Sequence, residues 1–551
     1  MGRNTTVSTE RAAPRAVKVF EGGLPTPIKA SVLDNLLGNY VDKKFIIQGL
    51  QRGFDLGYEG PVASQACNNN KSANANLKET TAKVASEVEA GRIAGPFDAP
   101  PLLNLKCSPL ALREKSTPGK FRLLHNLSYP HDSSSVNANI PRAVAKTEYA
   151  TLDEAVFILN SLDNPFLAKA DIAEAFRLLP LAPDNYSLTG FKLCGQYFYD
   201  MCMPMGASSA CQTFERFSDG IVYILKEKYK VKNIVKVLDD FLFIGDSHRE
   251  CALALNSFMD LCGLAGIPVA SHKTEGPSKA LTFLGIFIDV AAGTLSIPKE
   301  KITEYSGDID EMLANPQATL RDLKRVAGKL SFVSRIIPAG RCFIRRIYDA
   351  MSGLKAPYQK CMLSEATRED LRLWFTFFDS YNAMELYAPR SAIAFHTHNV
   401  FADASDAGYG ATIGGHYLYG TFPDSWNSYD IQVRELFPIY LILVIFANEL
   451  KGKHVTLRSD NSSVVSAINL QTSKNKNLMH LLRKLVLVLL KKNIICRAVH
   501  IQGVKNDITD ALSRLQIGKA TRGLVKLGYR PELIRVPSSL RPHNWQLPQT
   551  A

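Results

Sequence analysis

Two adjacent carboxylates between two apolar runs constrain this chain more than any other feature. Asp239 and Asp240 follow the run VKVL and precede FLFIG. Two such runs predict a β-hairpin whose tip holds the acidic pair, where Asn-Gly or Asp-Gly is usual. Like charges side by side repel, so the arrangement is costly unless a divalent cation lies over it. A solvent-exposed acidic turn is the alternative, and the motif alone does not decide between them.

A third carboxylate ends another apolar run. FLAKAD predicts a strand that ends in Asp171, followed by a turn or short helix with Phe176. Two-metal phosphoryl transfer needs carboxylates from separate strands that converge on ions about 3.5–4 Å apart, and Asp171 with the acidic pair fits that need. Between them, MPMGASSACQTFERF predicts a Pro-Gly turn and an amphipathic helix, whose small residues let backbone approach a nucleotide. By itself this piece is an ordinary loop-to-helix junction.

In this order the motifs resemble the palm of reverse transcriptases. The resemblance implies that Asp171, Asp239 and Asp240 bind two Mg²⁺ or Mn²⁺ ions per active site. It implies that Phe176 is the aromatic gate that selects dNTPs by excluding a ribonucleotide 2′-hydroxyl. It also implies that Lys273, in SHKTEGPS, protonates the leaving pyrophosphate, and that LTFLGIFI is the primer-grip hairpin.

Basic residues upstream, in REKSTPGKFRLLHNLSYP, resemble the fingers of the same enzymes, where a guanidinium fork matches phosphate geometry. The residues expected to contact the dNTP are Lys115, Lys120, Arg122, Phe176, Met205 and Gly206. Two positions depart from the family pattern. Val237 replaces the tyrosine before the paired aspartates, which affects primer positioning and fidelity rather than metal binding. Met205 stands where retroviral enzymes have glutamine, which argues against a retroviral origin.

A second set of acidic residues lies in the C-terminal part. FADASDAGYGATIGG and HYLYGTF predict three strands, residues 431–451 an apolar helix, and HVTLRSDN a further strand. This order resembles the RNase H fold. The resemblance implies a second two-metal site and a mobile histidine that aids product release; these residues are Asp403, Glu435, Asp460 and Asp510, with His500. Taken singly, Glu435 is equally a polar residue on a helix face, and Asp510 a helix N-terminal acid.

The net charge suits a polyanionic partner, since the 551 residues carry +13 at neutral pH. Along a helix predicted from Thr319, basic residues recur at every fourth position, where a thumb would follow phosphates without reading sequence. A solvated helix face is the alternative. A short loop, QTSKNKN, occupies the place of a basic substrate-binding protrusion in relatives. The residues expected to contact nucleic acid are Arg321, Arg325, Lys329, Lys474 and Lys476.

The predicted fold class is α+β and multidomain: a right-hand polymerase of fingers, palm and thumb, followed by an α/β RNase H-like domain. A hydrophobic content of 46% is ordinary for globular chains, so several cores can be buried. The predicted domains are a partly disordered N-terminal extension with one or two helices (1–95), fingers and palm (96–300), thumb and connection (301–390), RNase H (391–517) and a basic tail (518–551).

The expected partners are an RNA template, a DNA primer, the RNA–DNA hybrid and dNTPs, with other element-encoded proteins such as Gag or a recombinase. Ten cysteines without a CxxC pair or a zinc-spaced Cys/His cluster favour a reducing compartment. The N-terminus lacks the apolar core of a signal peptide, and the longest apolar run, about 13 residues, is too short for a membrane span. We therefore expect an intracellular protein, in the cytoplasm, the nucleus or both, that is neither secreted nor inserted in a membrane.

Several motifs favour one class of retroelement. GFDLGYEGP, the LDDF form of the acidic hairpin, HNLSYP, RRIYDAM and ITDALSR resemble DIRS-like retrotransposons, which integrate through a tyrosine recombinase. A gypsy-like LTR element or a pararetrovirus is the alternative source. The implied function is an RNA-directed DNA polymerase with an RNase H that degrades the RNA strand of the hybrid. Two alternatives remain: a domesticated or decayed copy that binds nucleic acid without catalysis, and an RNase H with an inactive polymerase half.

Overall fold

The computed structural model describes residues 23–114, 119–385 and 398–545. The chain separates into two compact units, and each is described by itself. The first comprises Met1–Leu284 with Asp289–Ala291, and the second comprises Gly285–Ile288 with Ala292–Ala551.

The first unit combines helices with antiparallel strands. Its elements are α1 (Ala30–Leu37), α2 (Lys43–Arg52), α3 (Lys71–Ala75), α4 (Leu77–Glu89), β1 (Ile93–Phe97), β2 (Leu110–Glu114), β3 (Phe121–His125), α5 (Leu152–Asn160), β4 (Phe166–Asp171), β5 (Gly190–Leu193), β6 (Gln196–Asp200), α6 (Ala210–Glu227), β7 (Asn233–Val237), β8 (Asp240–Gly245), α7 (His248–Ala265), β9 (Glu275–Ser278) and β10 (Ala280–Phe283). The central sheet has the order β7-β8-β4-β9. A second sheet has the order β1-β6-β5, and β2 and β3 form a hairpin.

The central sheet is buried because its middle strand is apolar on both faces, as a continuous run such as FLFI predicts. Phe241 and Phe243 of β8 pack against Phe258 of α7, with ring centroids 4.8 and 5.4 Å apart. Helix α7 begins where the Ser247 hydroxyl accepts the Glu250 N–H at 3.1 Å, a capping bond that satisfies a free helix amide. The apolar core therefore fixes the strands that end in the acidic residues.

The second unit contains the remaining elements. They are β11 (Ile286–Asp289), β12 (Thr294–Ser296), α8 (Lys299–Ala314), β13 (Gln317–Thr319), α9 (Leu320–Val333), α10 (Arg345–Ala350), β14 (Lys360–Met362), α11 (Glu365–Ser380), β15 (Met384–Glu385), β16 (His398–Ala404), β17 (Tyr409–Ile413), β18 (His416–Gly420), α12 (Ile431–Ile445), β19 (His454–Ser459), α13 (Ser462–Leu470), α14 (Lys476–Lys491), β20 (Ile495–His500), α15 (Asp507–Ser513), α16 (Ile517–Lys526) and β21 (Glu532–Leu533).

A six-stranded mixed sheet organises the C-terminal half of this unit, in the order β20-β19-β16-β17-β18-β21. Strands β16, β17 and β18 run antiparallel, whereas β19 and β20 continue the sheet in parallel. Helices α12 and α15 both pack against β16 and β17. Because α12 is apolar on nearly all sides it is buried inside the unit. Within the described ranges, no helix combines the length and the apolar character that crossing a membrane requires.

The segment predicted as a basic tail contains most of α16 and the edge strand β21, and it packs onto the unit as far as Trp545. The indole of Trp545 lies against Tyr440 and Phe437, with ring centroids 5.0 and 5.6 Å apart. The Lys484 ammonium lies 4.1 Å from the same ring, a favourable cation–π distance. The anchoring residues are widely spaced, so composition alone did not indicate this packing.

A buried ion cluster joins three helices of the second unit. Asp370 of α11 accepts a hydrogen bond from Arg346 of α10 at 2.7 Å through Oδ1. The guanidinium of Arg483 of α14 lies 3.5 Å from Oδ2 of the same carboxylate. Burial raises the pKa of Asp370 to about 6, although both arginines oppose the shift. Because removal of one partner would leave a buried charge, the cluster constrains how these helices pack.

We predict that His480 makes the second unit lose stability between pH 6.5 and pH 4. Burial, followed by the positive charges of Lys484, Arg346 and Arg483, lowers the pKa of His480 from 6.5 to about 4. As the pH falls through this window the unfolded chain binds a proton that the folded chain does not, so the free energy of unfolding decreases. His480→Gln should flatten that dependence in urea unfolding of the full chain, while His131→Gln, at an exposed site in the first unit, should not. An unchanged slope for His480→Gln would contradict the assignment.

Candidate active site

The acidic hairpin lies at the end of two central strands of the first unit. Val237 at the end of β7 pairs with Asp240 at the start of β8, so Leu238 and Asp239 form a two-residue turn. Leu238 has a φ of 55°, a left-handed conformation that costs a non-glycine residue roughly 1–2 kcal/mol. The tip is therefore strained, and it depends on contacts from the surrounding structure.

Asp171 is brought beside this pair by strand register. It ends β4 and lies directly opposite Asp240 of the antiparallel strand β8. The Ile172 N–H donates to the carbonyl oxygen of Asp239 at 3.0 Å, which extends the pairing to the turn. Asp171 is only 5% exposed, and its Oδ2 accepts a hydrogen bond from Lys273 Nζ at 2.7 Å. The four residues predicted from separate motifs thus lie in one place.

The electrostatics of the site reflect crowding of negative charge. Burial raises the pKa of Asp240 to about 7, helped by a hydrogen bond with Asp171 and by the charge of Asp239. Burial also raises the pKa of Asp239, as does the charge of Asp171, while Lys273 and Arg122 lower it. These carboxylates do not all ionise readily without a cation between them.

The donor set fits a hard divalent cation, because Mg²⁺ and Mn²⁺ prefer carboxylate oxygens. Among the residues that the structure describes, no three His, Cys, Asp or Glu side chains are grouped tightly enough to enclose an ion as they stand. Coordination of an ion at the hairpin therefore requires the carboxylates to change rotamer. The backbone positions already bring three of them to adjacent strand ends.

A cavity of about 260 Å³ opens beside the acidic residues. Its lining combines carboxylates, cations and apolar groups, as a site for a charged ligand with an apolar base requires. Predicted site residues that line it are Arg122, Asp171, Met205, Asp239 and Lys273. Arg122 is exposed on β3, so its guanidinium is free to meet a phosphate.

The loop at Met205 is held close to β3. The His125 N–H donates to the Met205 carbonyl oxygen at 3.0 Å, and Asn137 Nδ2 donates to the Gly206 carbonyl oxygen at 2.8 Å. Gly206 has a φ of 143°, and a Cβ there would overlap the His125 carbonyl oxygen. Only glycine fits this position, which explains why a small residue stands at the turn.

Four predicted dNTP contacts, Gly206 among them, are placed outside this lining or outside the described residues. Phe176 is half-buried, and its ring packs edge-on against Phe214 with centroids 5.7 Å apart. Lys120 is exposed in the turn between β2 and β3. Lys115 lies outside the described residues. Their roles toward a nucleotide stay predictions.

A buried ion network that contributes to the cavity lining was not anticipated from the sequence. Asp200 accepts from Arg177 Nη1 at 2.7 Å and lies 2.8 Å from His125 Nδ1. The Arg177 Nε donates to Glu87 at 2.8 Å, and Arg92 joins Glu87 at 2.8 Å. Arg177 follows the predicted gate residue directly, so the network anchors the segment that carries the gate. Its members come from four segments, with Glu87 and Arg92 only five residues apart. No local spacing could have indicated the contacts between those segments.

The second set of carboxylates gathers in the second unit. Asp403 lies near the end of β16, Glu435 is on α12, Asp460 follows β19 and Asp510 is on α15. His500 ends β20, and its Nε2 lies 3.0 Å from the carbonyl oxygen of Asp460. Parallel pairing of β16 with β19 places Asp403 and Asp460 at the same edge of the sheet.

Neutral donors and one arginine hold these carboxylates. Ser513 Oγ donates to Asp403 Oδ2 at 2.6 Å, and Asn506 Nδ2 donates to Asp460 Oδ1 at 3.2 Å. Arg514 donates to Asp510 at 2.8 Å, one helical turn away. Sequence analysis did not identify Ser513 or Asn506 as support for the site. Their place within VKNDITDALSR, between the predicted histidine and the end of the helix, was the available signal.

Charge crowding recurs in this second group. Burial raises the pKa of Asp403 to about 6. The hydrogen bond from Ser513 lowers this pKa, whereas the negative charges of Asp460 and Asp510 raise it further. Burial raises the pKa of Glu435 to about 7. Glu435 Oε2 is buried and accepts no hydrogen bond from the described residues. A buried carboxylate oxygen without a donor, beside two other carboxylates, fits a bound cation.

The basic residues predicted to follow phosphates are only partly available. Arg325 of α9 pairs with Glu311 of α8 at 3.0 Å, and Lys329 pairs with Glu304 at 2.5 Å and also with Asp308. Arg321 is exposed on the same helix. The charges of Arg325 and Lys329 are thus largely neutralised by α8. Lys474, in the loop before α14, and Lys476, the first residue of α14, are both exposed.

Part of the chain is similar to known proteins. Residues 115–288 match the family model described as reverse transcriptase (RNA-dependent DNA polymerase). The chain is 22% identical to a polyprotein of Cassava vein mosaic virus over 391 residues, which covers 67% of the chain and 55% of that protein. It is 24% identical to the Pro-Pol polyprotein of Simian foamy virus type 3 (strain LK3) over 241 residues, 44% of the chain and 19% of that protein. The chain thus spans about half, or less, of the length of these curated relatives.

The chain also aligns with a solved structure of the foamy viral protease-reverse transcriptase in complex with double-stranded DNA. The alignment covers 90% of this chain and 84% of the chain in that structure, at 17% sequence identity and a TM-score of 0.48.

We predict that Gly206→Ala destabilises the first unit, because the added Cβ would overlap the His125 carbonyl oxygen at a φ that alanine rarely adopts. The loss should be about 1–3 kcal/mol of unfolding free energy, the usual range for overpacking. Gly195→Ala is the control, since Gly195 also has a positive φ of 86° but open space around it. Equal losses in urea titrations of the two variants would contradict the role assigned to the close approach.

Proposed function

We propose that the reverse transcriptase domain at residues 115–288 makes this chain an RNA-directed DNA polymerase, and that its C-terminal sheet carries an RNase H. The observation that carries the first part is the register of β4 and β8, which sets Asp171 opposite Asp240. With Asp239 in the adjoining turn, three carboxylates occupy neighbouring strand ends beside a cavity whose lining includes the cationic side chains of Arg122 and Lys273. This arrangement suits two-metal phosphoryl transfer.

In the proposed reaction each residue has a separate task. Asp171, Asp239 and Asp240 would hold the ions through carboxylate oxygens. Bound Mg²⁺ would lower the pKa of the primer 3′-hydroxyl, and its positive charge would stabilise the leaving group. The Lys273 ammonium, 2.7 Å from Asp171, would donate a proton to the departing pyrophosphate. Arg122 would bind the triphosphate with its planar fork of donors.

Nucleotide selection would depend on the segment after Asp171. Phe176 is held by its edge contact with Phe214 and by the Arg177 network next to it. A fixed aromatic ring at this point would collide with a ribonucleotide 2′-hydroxyl. The tight turn at Gly206 would let Met205 and the backbone approach the incoming base.

The proposed RNase H site uses Asp403, Glu435, Asp460 and Asp510. Its carboxylates would bind two metal ions, which would activate a water molecule as the nucleophile. That water would cleave the RNA strand of the hybrid that the polymerase leaves behind. The unpartnered, buried Glu435 Oε2 supports this proposal. His500, at the edge of the sheet beside Asp460, would aid product release.

The source of the chain is part of the proposal. The motifs GFDLGYEGP, HNLSYP and ITDALSR support a DIRS-like retrotransposon, with a gypsy-like LTR element or a pararetrovirus as the alternative source. The substrates would be template RNA, primer DNA and dNTPs. A domesticated or decayed copy that binds nucleic acid without catalysis is the competing function. Val237 in place of the tyrosine keeps it open, whereas acidic residues at all seven expected metal-ligand positions count against it.

Primer extension on an RNA template with a DNA primer, dNTPs and Mg²⁺ tests the polymerase. The full chain should extend the primer, and Asp239→Asn/Asp240→Asn should reduce extension by about 10²–10³-fold or more, since ion binding is lost. Asp260→Asn, an exposed acid on α7, should extend normally. Retained hybrid binding without extension by the full chain would instead support a binding protein.

Cleavage of the RNA strand in a labelled RNA–DNA hybrid tests the second activity. Asp403→Asn should abolish cleavage and leave extension on a DNA template intact, because the two acidic groups lie in different units. Glu449→Gln, at an exposed position after α12, should preserve both activities. Cleavage that persists in Asp403→Asn, or that vanishes with Asp239→Asn/Asp240→Asn, would contradict a separate RNase H site.

A further inference from the structure

A buried ion pair lies directly beneath the acidic hairpin. Lys236 of β7 and Glu215 of α6 are 6% and 7% exposed, and Lys236 Nζ lies 2.7 Å from Glu215 Oε1. The same ammonium donates to the Glu215 carbonyl oxygen at 3.1 Å. Neither residue belongs to the predicted catalytic set. A buried pair of this kind stabilises a fold weakly at best, so a specific role is a reasonable expectation.

The two oxygens of the Glu215 carboxylate have different partners. Oε1 meets Lys236, while Oε2 accepts the backbone N–H of Leu238 at 2.9 Å. Leu238 is the left-handed residue of the turn, immediately before Asp239. A single carboxylate on α6 therefore joins the side chain of β7 to the strained amide at the tip of the hairpin.

The turn depends on this contact because its own sequence does not favour it. Two-residue hairpin turns with a left-handed first residue prefer Asn or Gly, and leucine pays a steric penalty there. Such strained residues persist only where the surroundings over-determine them. The Glu215 bond accounts for the Leu238 amide, which would otherwise be left without its partner beside a buried core.

We propose that Glu215, held by Lys236, is a positioning residue that fixes the turn so that Asp239 and Asp240 can share metal ions with Asp171. We call Glu215 and Lys236 the hairpin clamp. This inference rests on the proposed polymerase function and deepens it. Lys236 neutralises Glu215, so the clamp adds no net negative charge below carboxylates that already repel one another. Asp219 approaches Lys236 at 2.9 Å from a half-exposed position but does not touch the turn.

The test compares two double variants that both remove the buried charges. Glu215→Gln/Lys236→Met keeps an oxygen that can accept the Leu238 N–H, whereas Glu215→Leu/Lys236→Met does not. Both replace an ion pair by neutral groups of similar volume, which cores commonly tolerate, so both should fold. Their difference isolates the bond to the Leu238 amide. Asp219→Asn is the control for a change near Lys236 that leaves this bond in place.

Two readouts do not depend on catalysis. Hydrogen exchange in peptides covering residues 234–242 should quicken by on the order of tenfold or more in the Leu/Met variant and little in the Gln/Met variant, since a lost amide bond opens the turn. Mn²⁺ binding can be titrated by EPR in full-length variants that also carry Asp403→Asn, which weakens the second proposed metal site. The Leu/Met variant should bind Mn²⁺ about tenfold more weakly than the unmodified clamp, and the Gln/Met variant should not.

Primer extension then links the clamp to function. The Leu/Met variant should need more Mg²⁺ for half-maximal rate and show a lower kcat, with little change in the KM for dNTP, because the clamp does not touch the nucleotide. A role in stability alone would lower the melting temperature without moving the Mg²⁺ requirement.

Identical exchange and Mn²⁺ binding in the Leu/Met and Gln/Met variants would overturn the inference. Failure of the Leu/Met variant to fold while Gln/Met folds would assign the Leu238 bond to folding and overturn the positioning role. A full chain that fails to extend primers would refute the polymerase proposal, while exchange and Mn²⁺ binding still decide the clamp.

Discussion

Repulsion between carboxylates that strand register holds side by side is the constraint on which the first unit depends. Asp171 and Asp240 occupy paired positions on antiparallel strands, and a slip of one residue would turn one of them to the other face of the sheet. The register is set by apolar burial, with Phe241 and Phe243 locked against Phe258. Apolar packing therefore maintains a charge cluster that would otherwise separate.

The second unit also holds carboxylates close together, but with different structural elements. Its carboxylates come from parallel strand ends and from helices, and small neutral donors such as Ser513 and Asn506 hold Asp403 and Asp460. Glu435 is carried into the interior by an almost wholly apolar helix. Burial raises the pKa of acids in both groups. In each case the fold holds negative charge where only a cation or a proton can offset it.

Sequence patterns located the residues whose environment is local and missed those whose partners are distant. Apolar runs ending in acids predicted that Asp239 would lie at a hairpin tip, because strand period and turn position are local properties. Nothing near Glu215 indicates that its carboxylate reaches the turn, since its partners lie more than twenty residues away. Helical spacing placed Arg325 and Lys329 on one face of α9, but spacing alone cannot tell solvent from the acids of α8. The basic composition after residue 517 likewise gave no indication that Trp545 packs against Tyr440.

Anomalous diffraction from crystals of the full chain with primer–template, a non-hydrolysable dNTP and Mn²⁺ tests the central claim most directly. The account predicts two anomalous peaks about 3.5–4 Å apart, both within coordination distance of Asp171 and of the Asp239–Asp240 pair. Peaks elsewhere, or an ordered dNTP at the hairpin with no ion between these carboxylates, would contradict it.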